Sequence, residues 1–367
     1  MSARCAIAGG GLAGFVAYVT LRHGGLAPGE IAVFGTDPDP ACAWRPRAEA
    51  IRQRRMRSES DGHCYPRSFP GLAPREAART GSLAPLLRTV CNRYRPSVSE
   101  FLRHVEELRA RTGWEESFVS HRVRDVRAEP GGFSVDGRGV FRHVLVAPGH
   151  PGLALPPELE DDARAVHAYE PHAYAARVAI VGAGMAAATE WLNALGAGAE
   201  VRSVRRHEPA RRPLNLPRPL FTKRGLASFH ATGRTERIAL LRTFAEPSYP
   251  PGQEWDEPLE QARLEGRFRV AESVDGEPQI ICATGFRRGY RYDSLLRCLV
   301  EEHGLEVEAD WIVLAPDATV PGLTSESRTL SLSGAPAQWA FPAADTLVGM
   351  KYVAHRFLRR VKRCPTR

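Results

Sequence analysis

Short apolar runs closed by glycine alternate along the chain with stretches whose apolar residues recur every three or four positions. Strands and helices taking turns in this way predict an α/β protein. The run Arg4-Cys5-Ala6-Ile7-Ala8 predicts a buried strand, followed by Gly9-Gly10-Gly11-Leu12-Ala13-Gly14, a helix ending near Arg22 and a strand over Ile31–Phe34. The polar, proline-punctuated stretch 44–75 predicts irregular loop. Residues 97–112 predict a helix with Phe101, Val105 and Leu108 on one face. Ser117–Val126, Gly132–Val135 and Val140–Ala147 predict an antiparallel meander, and Pro151–Pro157 a linker.

The pattern then repeats. Arg177–Val181 predicts a strand, and Gly182-Ala183-Gly184-Met185-Ala186-Ala187 a tight turn. A helix through Glu190, Trp191 and Leu195 and a strand over Glu200–Val204 complete the unit. Gln279–Cys282 predicts a buried strand that leaves through Ala283-Thr284-Gly285-Phe286. A final helix is expected over Ala344–Lys362, with Leu347, Met350, Val353, Phe357 and Val361 inward and Pro342 and Asp345 at its start.

Both glycine runs sit in a strand–turn–helix–strand frame, which makes them dinucleotide fingerprints. Gly9 permits the turn, Gly11 lets the backbone approach a pyrophosphate, and Gly14 brings the helix against the strand. Leu12 and Ala13 begin the helix whose free N–H groups face the phosphates. Gly182, Gly184, Met185 and Ala187 take the same places in the second unit. The ribose-binding acid expected after the first fingerprint is replaced by Gly35, which leaves Asp37 as the substitute candidate. Arg205 and Arg206 follow the corresponding strand of the second unit and suit a 2′-phosphate, hence NADPH over NADH.

Length narrows this little: 367 residues suit about two domains at roughly 150 residues each. The net charge of +8 does not redirect the reading toward nucleic acid. Only Lys223, Lys351 and Lys362 among the 50 basic residues are lysine, the arginines are scattered, and basic and aromatic residues are not interleaved. The seven cysteines contain no CxxC pair, which excludes a zinc ribbon and a thioredoxin-type redox pair. No apolar run of membrane-spanning length and no signal peptide is evident, so a cytoplasmic protein that binds no membrane is expected.

The two fingerprints followed by Ala283-Thr284-Gly285-Phe286 resemble the class B flavin-dependent monooxygenases, and most closely their N-hydroxylating branch, which oxidises amines such as lysine and ornithine. His167-Ala168-Tyr169 is similar to that branch's lead-in to the second fingerprint, and Phe221–Tyr249 to its helical insert. Asp345-Thr346-Leu347 is similar to its last-helix start beneath the flavin. The chain is short for that branch, and its amine-binding segments are not recognisable. The resemblance implies two Rossmann-like dinucleotide-binding domains: an FAD domain over 1–172 and 289–367, with an NADPH domain inserted over 173–288. It implies a small-molecule substrate and O2, with one oxygen passed from a C4a-hydroperoxyflavin to a nucleophilic N or S. Met56, Arg57 and Ser58 become candidates to flank the flavin, and His63 a weaker candidate base. An oxidoreductase serving another electron acceptor, a non-catalytic nucleotide sensor, and homo-oligomerisation all stay open.

Overall fold

The computed structural model describes residues 3–56, 71–90, 94–212 and 216–363. Each fingerprint strand lies at the centre of a five-stranded, all-parallel sheet. The first sheet runs, in spatial order, Thr329–Leu332, His143–Val146, Cys5–Ala8, Ile31–Gly35, Phe118–Ser120. The second runs Phe268–Ala271, Glu200–Val204, Arg177–Val181, Ile280–Cys282, Ala165–His167. Parallel strands need crossovers, and the fingerprint helices Leu12–His23 and Met185–Gly196 supply the central ones. Helix Leu12–His23 also packs along the last helix, Leu347–Arg363.

Each sheet has its own core. Around the first, Trp114 meets Phe15 and Tyr18 edge to face, each at 5.1 Å. Around the second, Trp191 meets Tyr249 at 5.7 Å and Phe268 at 5.6 Å. The expected helix over 97–112 spans Val98–Thr112, capped by Ser97 Oγ accepting from the Glu100 N–H at 3.2 Å. Among the described residues, no helix is long and apolar enough to cross a membrane.

Three expectations are corrected. The meander is divided between two sheets. Phe118–Ser120 pairs parallel with Ile31–Gly35, and the exposed Arg122 and Arg124 carry the chain away to a separate strand, Val126–Glu129. Val140–Phe141 stays with the antiparallel sheet, whereas His143–Val146, buried throughout, crosses into the first parallel sheet. Burial on both faces suits a strand inside a parallel sheet. The stretch 44–75 is not all loop: Arg45–Ala50 is a helix with Pro46 in its first turn, and Ala73–Thr80 begins another. The last helix starts at Leu347, because residues 343–346 close a turn in which Ala343 O accepts from the Thr346 N–H at 2.9 Å. Asp345 therefore precedes the first turn instead of standing in it. Ala165–His167, before the boundary expected at 173, pairs with Ile280–Cys282 at the edge of the second sheet.

Candidate dinucleotide cleft

The two sheets share one cleft of about 1010 Å3, lined by both glycine turns. Gly9 and Gly182 both have φ +130°, a region that side-chain-bearing residues avoid. A Cβ on Gly9 would lie 2.0 Å from the Ala147 carbonyl oxygen, and one on Gly182 2.6 Å from that of Ala283. Each fingerprint thus abuts the residue that follows its neighbouring strand. Gly14 packs helix on turn, since a Cβ there would sit 1.9 Å from the Gly9 oxygen. Ala187, fully buried, holds the equivalent place in the second unit.

Gly11 and Gly184 differ from these. No atom lies within 4 Å of a Cβ built on Gly11, and the nearest to one on Gly184 is Pro247 at 3.9 Å. Both glycines line the cleft, as do Leu12, Ala13 and Met185. Neither helix has a side-chain cap or an acid in its first turn. Two unsatisfied, positively polarised helix N-termini therefore open into one cleft, an arrangement suited to two phosphate groups. The protein leaves at Gly11 the space that a pyrophosphate would fill.

The junction between the units is aromatic. Ala147-Pro148-Gly149-His150 leaves the first sheet and Ala283-Thr284-Gly285-Phe286 the second. The His150 and Phe286 rings stack with centroids 4.1 Å apart. Tyr169 stacks on Phe286 at 5.2 Å, and the Arg47 guanidinium lies 4.9 Å from the Phe286 centroid. Burial, with Arg47 and Arg288 nearby, lowers the His150 pKa to about 4, so the ring is neutral at pH 7. His167 fixes the turn from behind: its Nδ1 accepts from the Tyr169 N–H at 3.0 Å and its Nε2 donates to Gly285 O at 2.9 Å.

The last helix enters the same cleft. Asp345, Thr346 and Leu347 line it, and Thr346 Oγ1 accepts from the Gly349 N–H at 3.2 Å. Asp345 is exposed where it lines the cleft. Desolvation by the cleft walls raises its carboxyl above the usual range, while Arg288 and Gln338 pull it down.

The remaining sequence candidates fall as follows. Met56, Ala283, Thr284, Gly285 and Phe286 line the cleft. Arg57, Ser58 and His63 lie outside the described residues. Asp37 is exposed and does not line the cleft; its carboxylate accepts from the Asp39 N–H at 2.8 Å. Arg205 and Arg206 are also away from the lining. The Arg205 side chain is 4% exposed, paired with Glu208 at 2.5 Å, and lies 5.5 Å from the Trp191 ring centroid. Arg206 is exposed. Sequence reasoning missed Arg47, His121, His150, Arg288 and Gln338, which reach the cleft only through tertiary packing. Pro46 was the one local signal for the helix that carries Arg47.

No family model and no curated protein matches the sequence. Solved structures do. The ornithine N-hydroxylase KtzI of Kutzneria sp. 744, in a complex with reduced FAD, NADP+ and L-ornithine, is 15% identical, with a TM-score of 0.74 and 99% of each chain covered. Ornithine hydroxylase PvdA from Pseudomonas aeruginosa is 16% identical, with a TM-score of 0.70 over 98% of this chain and 99% of that one. L-lysine 6-monooxygenase from Pseudomonas syringae is 12% identical, with a TM-score of 0.69 over 98% and 99%. From end to end, this chain has the fold of these amine hydroxylases.

Proposed function

We propose that this protein is an FAD- and NADPH-dependent monooxygenase that places one oxygen atom of O2 on a nucleophilic nitrogen of a small amine, or on a comparable sulfur. The observation that carries this reading is the single cleft with two open, glycine-bounded helix N-termini, on a fold shared with N-hydroxylases over nearly the whole chain. Residues 1–172 and 289–367 would serve FAD, and 173–288, with the edge strand Ala165–His167 beside them, NADPH. The bound flavin would supply the reaction with O2 after reduction by NADPH.

The protein's own part is positioning. Gly9, Gly11 and Gly14 shape the flavin pyrophosphate site, with Leu12 and Ala13 donating from the helix start. Gly182, Gly184, Met185 and Ala187 do the same for NADPH. Arg206 is free to meet the 2′-phosphate; Arg205 would first have to leave Glu208. The Leu347 helix start brings a third positive dipole end into the cleft, where it favours negative charge on a reduced ring. The stack of His150, Phe286 and Tyr169 closes the junction between the units and limits water there.

A thiol-based reductase is disfavoured by the cleft's chemistry. Cys42 is the only cysteine lining it among the described residues. Burial, with Asp37 and Asp39 nearby, raises its pKa and holds it as the unreactive thiol. Cys5, Cys42, Cys282 and Cys298 are free, which suits the reducing cytoplasm. The test is to load the protein with FAD, supply NADPH and O2, and screen amines for hydroxylamine formation coupled to NADPH consumption. NADPH consumption that yields only hydrogen peroxide with every amine and thioether would count against oxygen transfer.

A further inference from the structure

The second strand of the first sheet ends without the acid that usually holds an adenosine ribose. The position is closed to any side chain: a Cβ on Gly35 would lie 2.9 Å from the Gly10 Cα and 2.9 Å from Phe118 Cε2. Asp37 does not replace the acid, because its carboxylate accepts from the Asp39 N–H and it stays off the cleft lining.

Another side chain does line the cleft at this end. His121 donates its backbone N–H to Gly35 O at 2.8 Å, which seats it directly beside the vacant acid position. Its ring is aimed by a carboxylate, with Nε2 donating to Asp136 Oδ2 at 2.6 Å. Asp136 also accepts from the Arg124 N–H at 3.1 Å and has φ +46°, an uncommon backbone state for a residue other than glycine. In the tautomer that donates Nε2–H to the carboxylate, Nδ1 is an acceptor. No hydrogen bond to that Nδ1 occurs among the described residues. The missing acid would have supplied the same thing, an acceptor for ribose hydroxyls.

We propose that His121, oriented by Asp136, accepts the adenosine ribose hydroxyls of the dinucleotide held at Gly9–Gly14, in place of the carboxylate that Gly35 excludes. The inference rests on the FAD reading of the first fingerprint and adds a binding residue to it.

The test is fluorescence titration of the flavin-free full chain with FAD and with an FAD analogue lacking both hydroxyls of the adenosine ribose. The wild type is expected to bind FAD about tenfold more tightly than the analogue, the scale of one hydrogen bond with its alignment. His121→Ala should bind the two alike, at the wild type's affinity for the analogue. His121→Gln, which retains an acceptor, should recover part of the preference, and Asp136→Asn should lose part of it. Equal wild-type affinity for the two ligands would overturn the proposal without reference to any variant. An equal loss for both ligands in His121→Ala would overturn it as well, by assigning the ring a structural role. Absence of all flavin binding would instead remove the FAD reading itself, and this inference with it.

Discussion

His150 and Phe286 stack with their rings 12° from parallel, and each is the last residue of an Ala-x-Gly turn leaving its own sheet. The two nucleotide units are thus joined by equivalent positions of one repeated device. Such a pair contributes roughly 0.5–1.5 kcal/mol beyond area burial. Phe286→Ala also loses the ring's contacts to Tyr169 and Arg47, so it should lower stability by at least that much and slow NADPH-driven flavin reduction severalfold, with FAD affinity unchanged. Urea denaturation, anaerobic stopped flow and a flavin titration read the three effects; equal losses in FAD binding and reduction would deny the junction its separate role.

The glycines divide into two groups that respond oppositely to alanine. Gly11→Ala and Gly184→Ala meet no protein atom closer than 3.9 Å and should fold normally. Their added methyl groups fill the phosphate cradles, so FAD and NADPH affinity respectively should fall at least about tenfold, the equivalent of 1.4 kcal/mol. Gly14→Ala drives a methyl into the Gly9 carbonyl and should instead impair folding. Thermal melts beside cofactor titrations separate these outcomes.

The two arginines of the second unit should also part ways. Arg206→Glu should raise the KM for NADPH about tenfold and leave that for NADH unchanged. Arg205→Ala removes a contact to Trp191 and a partner of Glu208, so it should chiefly lower stability. A selective NADPH defect in Arg205→Ala at normal stability would reverse these assignments.

His143 is fully buried, and neither ring nitrogen has a hydrogen-bond partner among the described residues. Burial, reinforced by Arg4 and Arg142, lowers its pKa to about 4. The unfolded ring titrates near about 6.5. The folded state therefore disfavours the proton, and stability held above pH 6.5 is lost as pH falls toward 4. His143→Leu should raise stability at pH 7 by about 1–2 kcal/mol and flatten that acid-side decline. Denaturant titrations at pH 7.5 and 5 would show it; an unchanged slope with pH would contradict the assignment.

The fingerprints were legible in the sequence because glycine at Gly9, Gly14 and Gly182 answers a local steric demand. The partition of Ser117–Val126 was not, since a run of strand-forming residues does not say which of two sheets it joins. The helix Arg45–Ala50 was hidden by its polarity, although Pro46 marked its start. His121, Asp136, His150 and Phe286 acquire their meaning from pairings across 15 and 136 positions, which no local pattern encodes.

The most direct test of the central claim is stopped-flow absorbance of the FAD-loaded protein, reduced with NADPH under anaerobic conditions and then mixed with oxygen. Oxygen transfer requires a long-lived oxygenated species, with absorption distinct from both reduced and oxidised flavin, that decays faster when the correct amine is present. Direct return to oxidised flavin without that species would contradict the account and assign the cleft to electron transfer.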